Sequence, residues 1–116
     1  MTDEEPMLLQ GTLDLLVLKT LVWGSRHGYS IARWIHQTSE DVILVEDRAL
    51  YLALHRLEAN GLVSSEWGLS DNNRKAKYYS LTAAGRRQLQ SKTARWTRYV
   101  EAVHRILLAA EGRVPS

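Results

Sequence analysis

Four side chains of one segment can act together only if that segment is helical. With about 100° of rotation per residue, Arg48, Tyr51, Leu52 and His55 share one face, and Ala49 lies beside them. A guanidinium, a phenol and an imidazole can donate to phosphate oxygens or base edges, while Leu52 can rest on a thymine methyl. A second group of cations, Arg74, Lys75 and Lys77, follows in a stretch dense in turn residues and is flanked by Tyr78 and Tyr79. Cations interleaved with aromatic rings suit a polyanion. The plain alternatives are a solvated loop and chance exposure of one tyrosine and one leucine.

Enzymatic chemistry has no comparable foothold. His27, His36, His55 and His104 lack metal-ligand spacing, there is no glycine-rich phosphate loop, and Asp14, Asp41 and Asp47 form no pair with a nucleophile. Neither an enzyme nor a resident cofactor or metal is therefore expected. The 116 residues include no cysteine, which excludes disulfides and thiolate zinc sites and fits a reducing, cytoplasmic location. Met1 to Pro6 is too acidic for a secretory signal, and Leu13 to Trp23 is too short and too interrupted to cross a membrane. The net charge of +2 is uneven: residues 1–58 hold five Lys/Arg and nine Asp/Glu, residues 59–116 ten and four. Such asymmetry bears on partners rather than on fold.

The elements that must position these groups read as short helices followed by a hairpin. Thr12 is placed to cap a helix reaching about Trp23, with Asp14 in its first turn and Gly24 closing it. Leu13, Leu15, Leu16, Val17, Leu18, Leu21 and Val22 make that helix apolar nearly all round, so it must be covered on several sides. A second helix is expected over about Tyr29–Gln37, with Ile31, Trp34 and Ile35 on one face, and residues 42–45 are a strand stub or an extended connector. Asp47 is the expected N-cap of the helix that carries Arg48 and Tyr51; its Leu50, Ala53, Leu54 and Leu57 face the core. Strands over Leu62–Trp67 and Lys77–Leu81 enclose a polar tip, Gly68–Ala76. His27 and Tyr29 are expected to tie their turn to the core, and Trp23, Trp34 and Trp67 to pack in the core or hairpin.

Thr82 caps a last helix expected to run to about Glu111. Leu89, Trp96, Tyr99, Val100, Val103, Ile106 and Leu107 form one apolar stripe along it. Such a helix is roughly 40 Å long, against a radius of gyration of about 13 Å for a compact domain of this size. Its own domain cannot cover it, so the simplest partner is the same helix in a second copy. The fold class is mainly α, within α+β: a winged helix-turn-helix with a long C-terminal dimerisation helix. Residues 1–7 form a flexible N-terminus, 8–82 the winged domain, and 83–116 the dimerisation helix and a short tail. The function that follows is sequence-specific binding of double-stranded DNA by a homodimer; a winged-helix protein-interaction module is the alternative.

The segments Leu9–Leu18, His27–Ala32, Leu50–Leu62 and Lys77–Arg86 resemble the PadR family of bacterial transcriptional regulators, in order, over about residues 8–108. Residues 39–42, Glu66-Trp67-Gly68 and Asn72-Asn73-Arg74 look closest to its short-tailed, acidobacterial-type subgroup. The resemblance implies a dimeric repressor on a palindromic operator, joined through its first and last helices. It places Tyr51, Arg48 and Ala49 at the DNA and Arg74, Lys75 and Lys77 at phosphate. Where the family usually carries Gly-Ser-Leu-Tyr-Pro, this chain has Arg48-Ala49-Leu50-Tyr51-Leu52. Ala49 removes a hydroxyl donor, Arg48 supplies a neighbouring cation, and Leu52 restores an amide N–H. Some such dimers hold flat aromatic effectors between the copies, which makes Trp96 the candidate wall of an effector pocket.

Overall fold

The computed structural model describes residues 10–110; the segment 1–7 and the tail beyond 110 lie outside the described residues. The chain runs α1 (Gln10–Thr20), β1 (Arg26–His27), α2 (Gly28–Thr38), α3 (Asp47–Ala59), β2 (Val63–Leu69), β3 (Lys75–Leu81) and α4 (Ala83–Leu107). The strands form one antiparallel sheet in the order β1-β3-β2. Among the described residues no helix is long and apolar enough to cross a membrane.

The all-round apolar character of α1 has its cause in its neighbours, since α2, α3 and α4 all pack on it. Leu18 and Leu21 meet Ile31, Leu50, Leu54 and Leu57 in the fully buried centre, where each large side chain contributes about 1.5–3 kcal/mol. Thr12 is not the cap, because α1 already includes Gln10 and Gly11; no acidic residue lies in its first turn. The helix also stops before Trp23. The Leu21 and Val22 amides turn to carbonyls three residues back, and the Arg26 Nε donates to the Thr20 carbonyl at 3.0 Å, satisfying an end group that would otherwise lack a partner.

The α2 cap is His27, whose Nδ1 accepts the Ser30 amide at 3.2 Å. The expected tie of Tyr29 to the core is absent: Tyr29 is 70% exposed. Residues 42–45 form the connector rather than a strand, because they are pegged by side chains and no strand among the described residues lies alongside. Ser39 Oγ accepts the Ile43 amide at 3.0 Å, and the Val45 amide donates to His36 Nε2 at 2.8 Å. At α3 the N-cap is Glu46, without a side-chain cap bond, so Asp47 is the first helical residue and its carboxylate favours the helix dipole. The Arg56 guanidinium joins Asp14 at 2.7 Å and locks α3 to α1.

The hairpin is longer than its strand formers suggest. Pairing runs from Val63↔Leu81 to Leu69↔Lys75, so the tip contracts to residues 70–74, closed by the Ser70 amide on the Arg74 carbonyl at 2.8 Å. Lys75 and Lys77 therefore lie on a strand, and Arg74 alone of the three sits in the tip. Strand β1 pairs Arg26 with Tyr79 and His27 with Tyr78, which holds the start of α2 beside the wing.

Thr82 Oγ1 caps α4 by accepting the Gly85 amide at 2.9 Å and donates to the Gly61 carbonyl at 2.7 Å. Gly85 is obligatory in a steric sense: a Cβ there would run into the Leu62 carbonyl oxygen and the Leu81 side chain. Only Gly85 and Leu89 are buried in the 25 residues of α4, which ends at Leu107 rather than near Glu111. The protein extends 63 × 32 × 23 Å, so the helix projects from the body that caps it.

Candidate nucleic-acid interface

Helix α3 turns Leu50, Ala53, Leu54 and Leu57 into the core and leaves Arg48, Tyr51, Leu52 and His55 exposed. Ala49 is half-buried and packs against the core cluster, so it offers little more than a methyl at the edge of this face. Tyr51 is 55% exposed, yet its ring is held from behind. A Cβ at Gly28 would lie 3.2 Å from its hydroxyl and 3.3 Å from its ring, so the phenol rests on the first turn of α2 because residue 28 has no side chain.

Between this turn, α3 and the wing opens a cleft of about 830 Å³ whose walls include Tyr29, Arg33, Tyr51, Arg74, Lys75 and Lys77. The structure thus brings Tyr51 together with all three wing cations. Arg48, Ala49, Leu52 and His55 do not line the cleft; they continue the exposed side of α3 beyond it. The cations differ in how free they are. Lys77 Nζ lies 3.8 Å from the Glu58 carboxylate and over the Tyr79 ring at 5.8 Å, an exposed pair of the kind that contributes about 0–1 kcal/mol. Arg48, Arg74 and Lys75 have no carboxylate within ion-pair distance among the described residues. Beneath the cleft, burial pushes the Tyr79 hydroxyl above its ordinary pKa, with the negative charge of Glu58 and the ionisable Tyr51 adding to the effect.

Tyr29, Arg33 and Trp67 belong to this surface although the sequence reading left them out. Tyr29 and Arg33 were findable, because they stand one helical turn apart beside the helix start at Gly28. Trp67 was not, since its exposure depends on how far the wing extends. Trp23 is likewise exposed; it meets the half-buried Trp34 at 5.6 Å, with Lys19 Nζ 5.0 Å above it. Only Trp34 packs on the core.

On α4, Trp96, Tyr99, Val100, Val103, Ile106 and Leu107 are all exposed. Leu89 departs from its expected role: it is 8% exposed and belongs to the core of its own chain, because the root of α4 lies against α1. A shallow groove of about 340 Å³ between α1 and α4 is lined by Gly11, Thr12, Leu15, Lys92, Arg95, Trp96 and Tyr99. No cluster of three or more His, Asp or Glu placed to hold a metal occurs among the described residues.

The sequence profile described as "Transcriptional regulator PadR-like family" matches residues 17–91. Among solved structures, the chain is similar to a PadR family transcriptional regulator from Eggerthella lenta, at 32% identity over 87% of this chain and 86% of that one, with a TM-score of 0.74. It is also similar to a PadR family transcription regulator from Clostridium difficile, at 30% identity over 84% and 98% of the two chains and a TM-score of 0.68. A curated relative, an uncharacterised protein of Lysinibacillus sphaericus, is 25% identical over 96 residues, which span 83% of this chain and 88% of the relative.

Proposed function

Because the chain belongs to the PadR-like family of transcriptional regulators, DNA-binding winged-helix proteins rather than enzymes, we propose that it acts in the cytoplasm as a homodimeric repressor on a palindromic operator. The observation that carries this reading is the shared cleft in which Tyr51 of α3 meets Arg74, Lys75 and Lys77 of the wing. With α3 in the major groove, Arg48, Tyr51, Leu52 and His55 face base edges and nearby phosphates, while the wing cations lie along the backbone. Ala49 at the edge of that face leaves Arg48 as the donor at the start of the helix. The exposed apolar side of α4, from Trp96 to Leu107, supports pairing with the same helix of a second copy. A two-fold axis then presents two recognition helices to half-sites about 34 Å apart, and repression follows from occupying a promoter.

The groove beside Trp96 supports a further part of the reading, a flat aromatic effector held where the two copies meet. Its apolar wall and the flanking Lys92 and Arg95 suit a planar molecule of neutral or negative charge. The motifs at residues 39–42, Glu66–Gly68 and Asn72–Arg74 support placement in the short-tailed, acidobacterial-type subgroup.

The test is selection of bound duplexes from a random pool, followed by affinity measurement across salt concentrations. Enrichment of an inverted repeat, bound with an affinity that falls steeply as salt rises, is the expected result. Failure to enrich any sequence, with no salt-dependent binding to duplex DNA, would overturn the reading in favour of a protein-interaction module.

A further inference from the structure

Trp67 stands on β2 opposite Lys77, and Leu69 opposite Lys75. Strand alternation puts these four side chains on one face of the ribbon, the face that also carries Tyr79. On the other face Tyr78 packs over Gly68, and its hydroxyl donates to the Leu69 carbonyl at 3.1 Å. That side of the ribbon is partly covered by its own Tyr78 ring. The Trp67 side is not: the indole is 62% exposed and lines the cleft that also holds Tyr51 and Arg33. Lys75 Nζ lies 5.4 Å above its ring.

An exposed indole among cations has no evident use in the free protein, because it leaves a large apolar area in water. Phosphates satisfy Arg74 and Lys75 and can accept the indole N–H, but they leave the apolar ring faces without a partner. The duplex surface beside those phosphates does, because deoxyribose rings present apolar C–H faces between successive phosphates. Charge complementarity brings the same strand to both. We propose that Trp67 is a DNA-contacting residue of the wing, packing its indole on the deoxyribose wall of the strand whose phosphates are held by Arg74 and Lys75. The inference rests on the reading of α3 and the wing as the DNA face. It adds an apolar, sequence-tolerant contact to a surface otherwise described by charge.

Salt dependence separates this contact from a mere support for Lys75. A cation that meets phosphate releases counterions and so contributes to the slope of log affinity against log salt, about 0.9 for each phosphate neutralised. An apolar contact contributes an increment that salt leaves unchanged. Trp67→Ala is therefore expected to lower affinity roughly five- to tenfold at every salt concentration, on specific and random duplexes alike, with the slope of the parent protein. Trp67→Phe, which keeps a ring, recovers most of the loss. Lys75→Ala should instead reduce the slope by about one unit.

The measurement is fluorescence anisotropy of labelled duplexes with the full-length protein and these three variants, each shown by thermal melting to remain folded. Affinity of Trp67→Ala equal to that of the parent protein overturns the proposal. So does a slope lowered as in Lys75→Ala, which would make Trp67 only a prop for that lysine. If the parent protein binds no duplex, the DNA reading itself fails, which is a separate outcome.

Discussion

On α3, Leu50, Ala53, Leu54 and Leu57 are buried and the opposite side carries Arg48, Tyr51, Leu52 and His55 into solvent. On α4 only Gly85 and Leu89 are buried, and the uncovered side carries Trp96, Tyr99, Val100, Val103, Ile106 and Leu107. Both helices are amphipathic, yet their uncovered faces demand different partners. A guanidinium and an imidazole on a helix whose phenol meets the wing cations fit a polyanion, an attraction that salt screens. A row of apolar side chains on a projecting helix fits another apolar helix, and salt leaves that association largely intact. In the proposed reading one face serves nucleic acid and the other a second copy, separated by a small core built on α1.

The sharpest way to break this division is to charge the apolar face. Val100→Glu with Val103→Glu should convert a dimer to a folded monomer in sedimentation, because both side chains are exposed within one chain. Operator affinity should then fall roughly 100-fold or more, since two half-sites are no longer held together. An unaltered dimer would remove α4 from the interface.

Next in size is the joint between the two regions. Gly85→Ala places a methyl against the Leu62 carbonyl and Leu81 and should cost about 2 kcal/mol, read as a lower denaturant midpoint. Tyr51→Ala removes the phenol from the proposed reading face, together with its packing on Gly28. It should weaken the selected operator by about 1–2 kcal/mol while changing binding to random duplex little, and an equal loss on both would show that Tyr51 does not read sequence. Arg74→Ala, at the wing tip, should lower all duplexes a few-fold and reduce the salt slope by about one unit.

The smallest effect lies at Tyr79, in the wall of the cleft. Because the Tyr79 hydroxyl is held above its ordinary pKa by burial, then by Glu58 and Tyr51, folding favours its neutral form. That contribution is fully present below the unfolded value of 10.0 and is lost as pH rises through the folded value. Urea melts at pH 8 and above pH 10 should show an alkaline loss of stability that Tyr79→Phe reduces; an identical loss in the variant would assign it to other groups.

The helical parts of this fold were legible because helix periodicity is local. The spacing of Leu50, Ala53, Leu54 and Leu57 separates the buried face of α3 from Arg48 and Tyr51 without reference to any other segment. The caps were less legible: Thr12 and Asp47 are each acceptable N-caps by residue type, yet the position that caps depends on where the helix starts in the packed chain, as at α2, where His27 takes the Ser30 amide. Strand β1 could not be read at all. Two residues, Arg26 and His27, carry no pattern and become a strand only by lying beside Tyr79 and Tyr78. The wing was read short for the same reason, since Gly68 and Ala76 are poor strand formers held extended by each other.

What the sequence determined by itself was the order of the helices and the hairpin, the two faces of α3 and an apolar stripe on an α4 too long for one small domain, because those follow from side-chain type at fixed spacing. Only the tertiary structure decided which groups meet. It buried Leu89 against its own core, set the Tyr51 ring on Gly28, and drew Tyr29, Arg33 and Trp67 into the cleft with the wing cations. The physical reason is that exposure and proximity are properties of several elements packed together, and no single segment carries them.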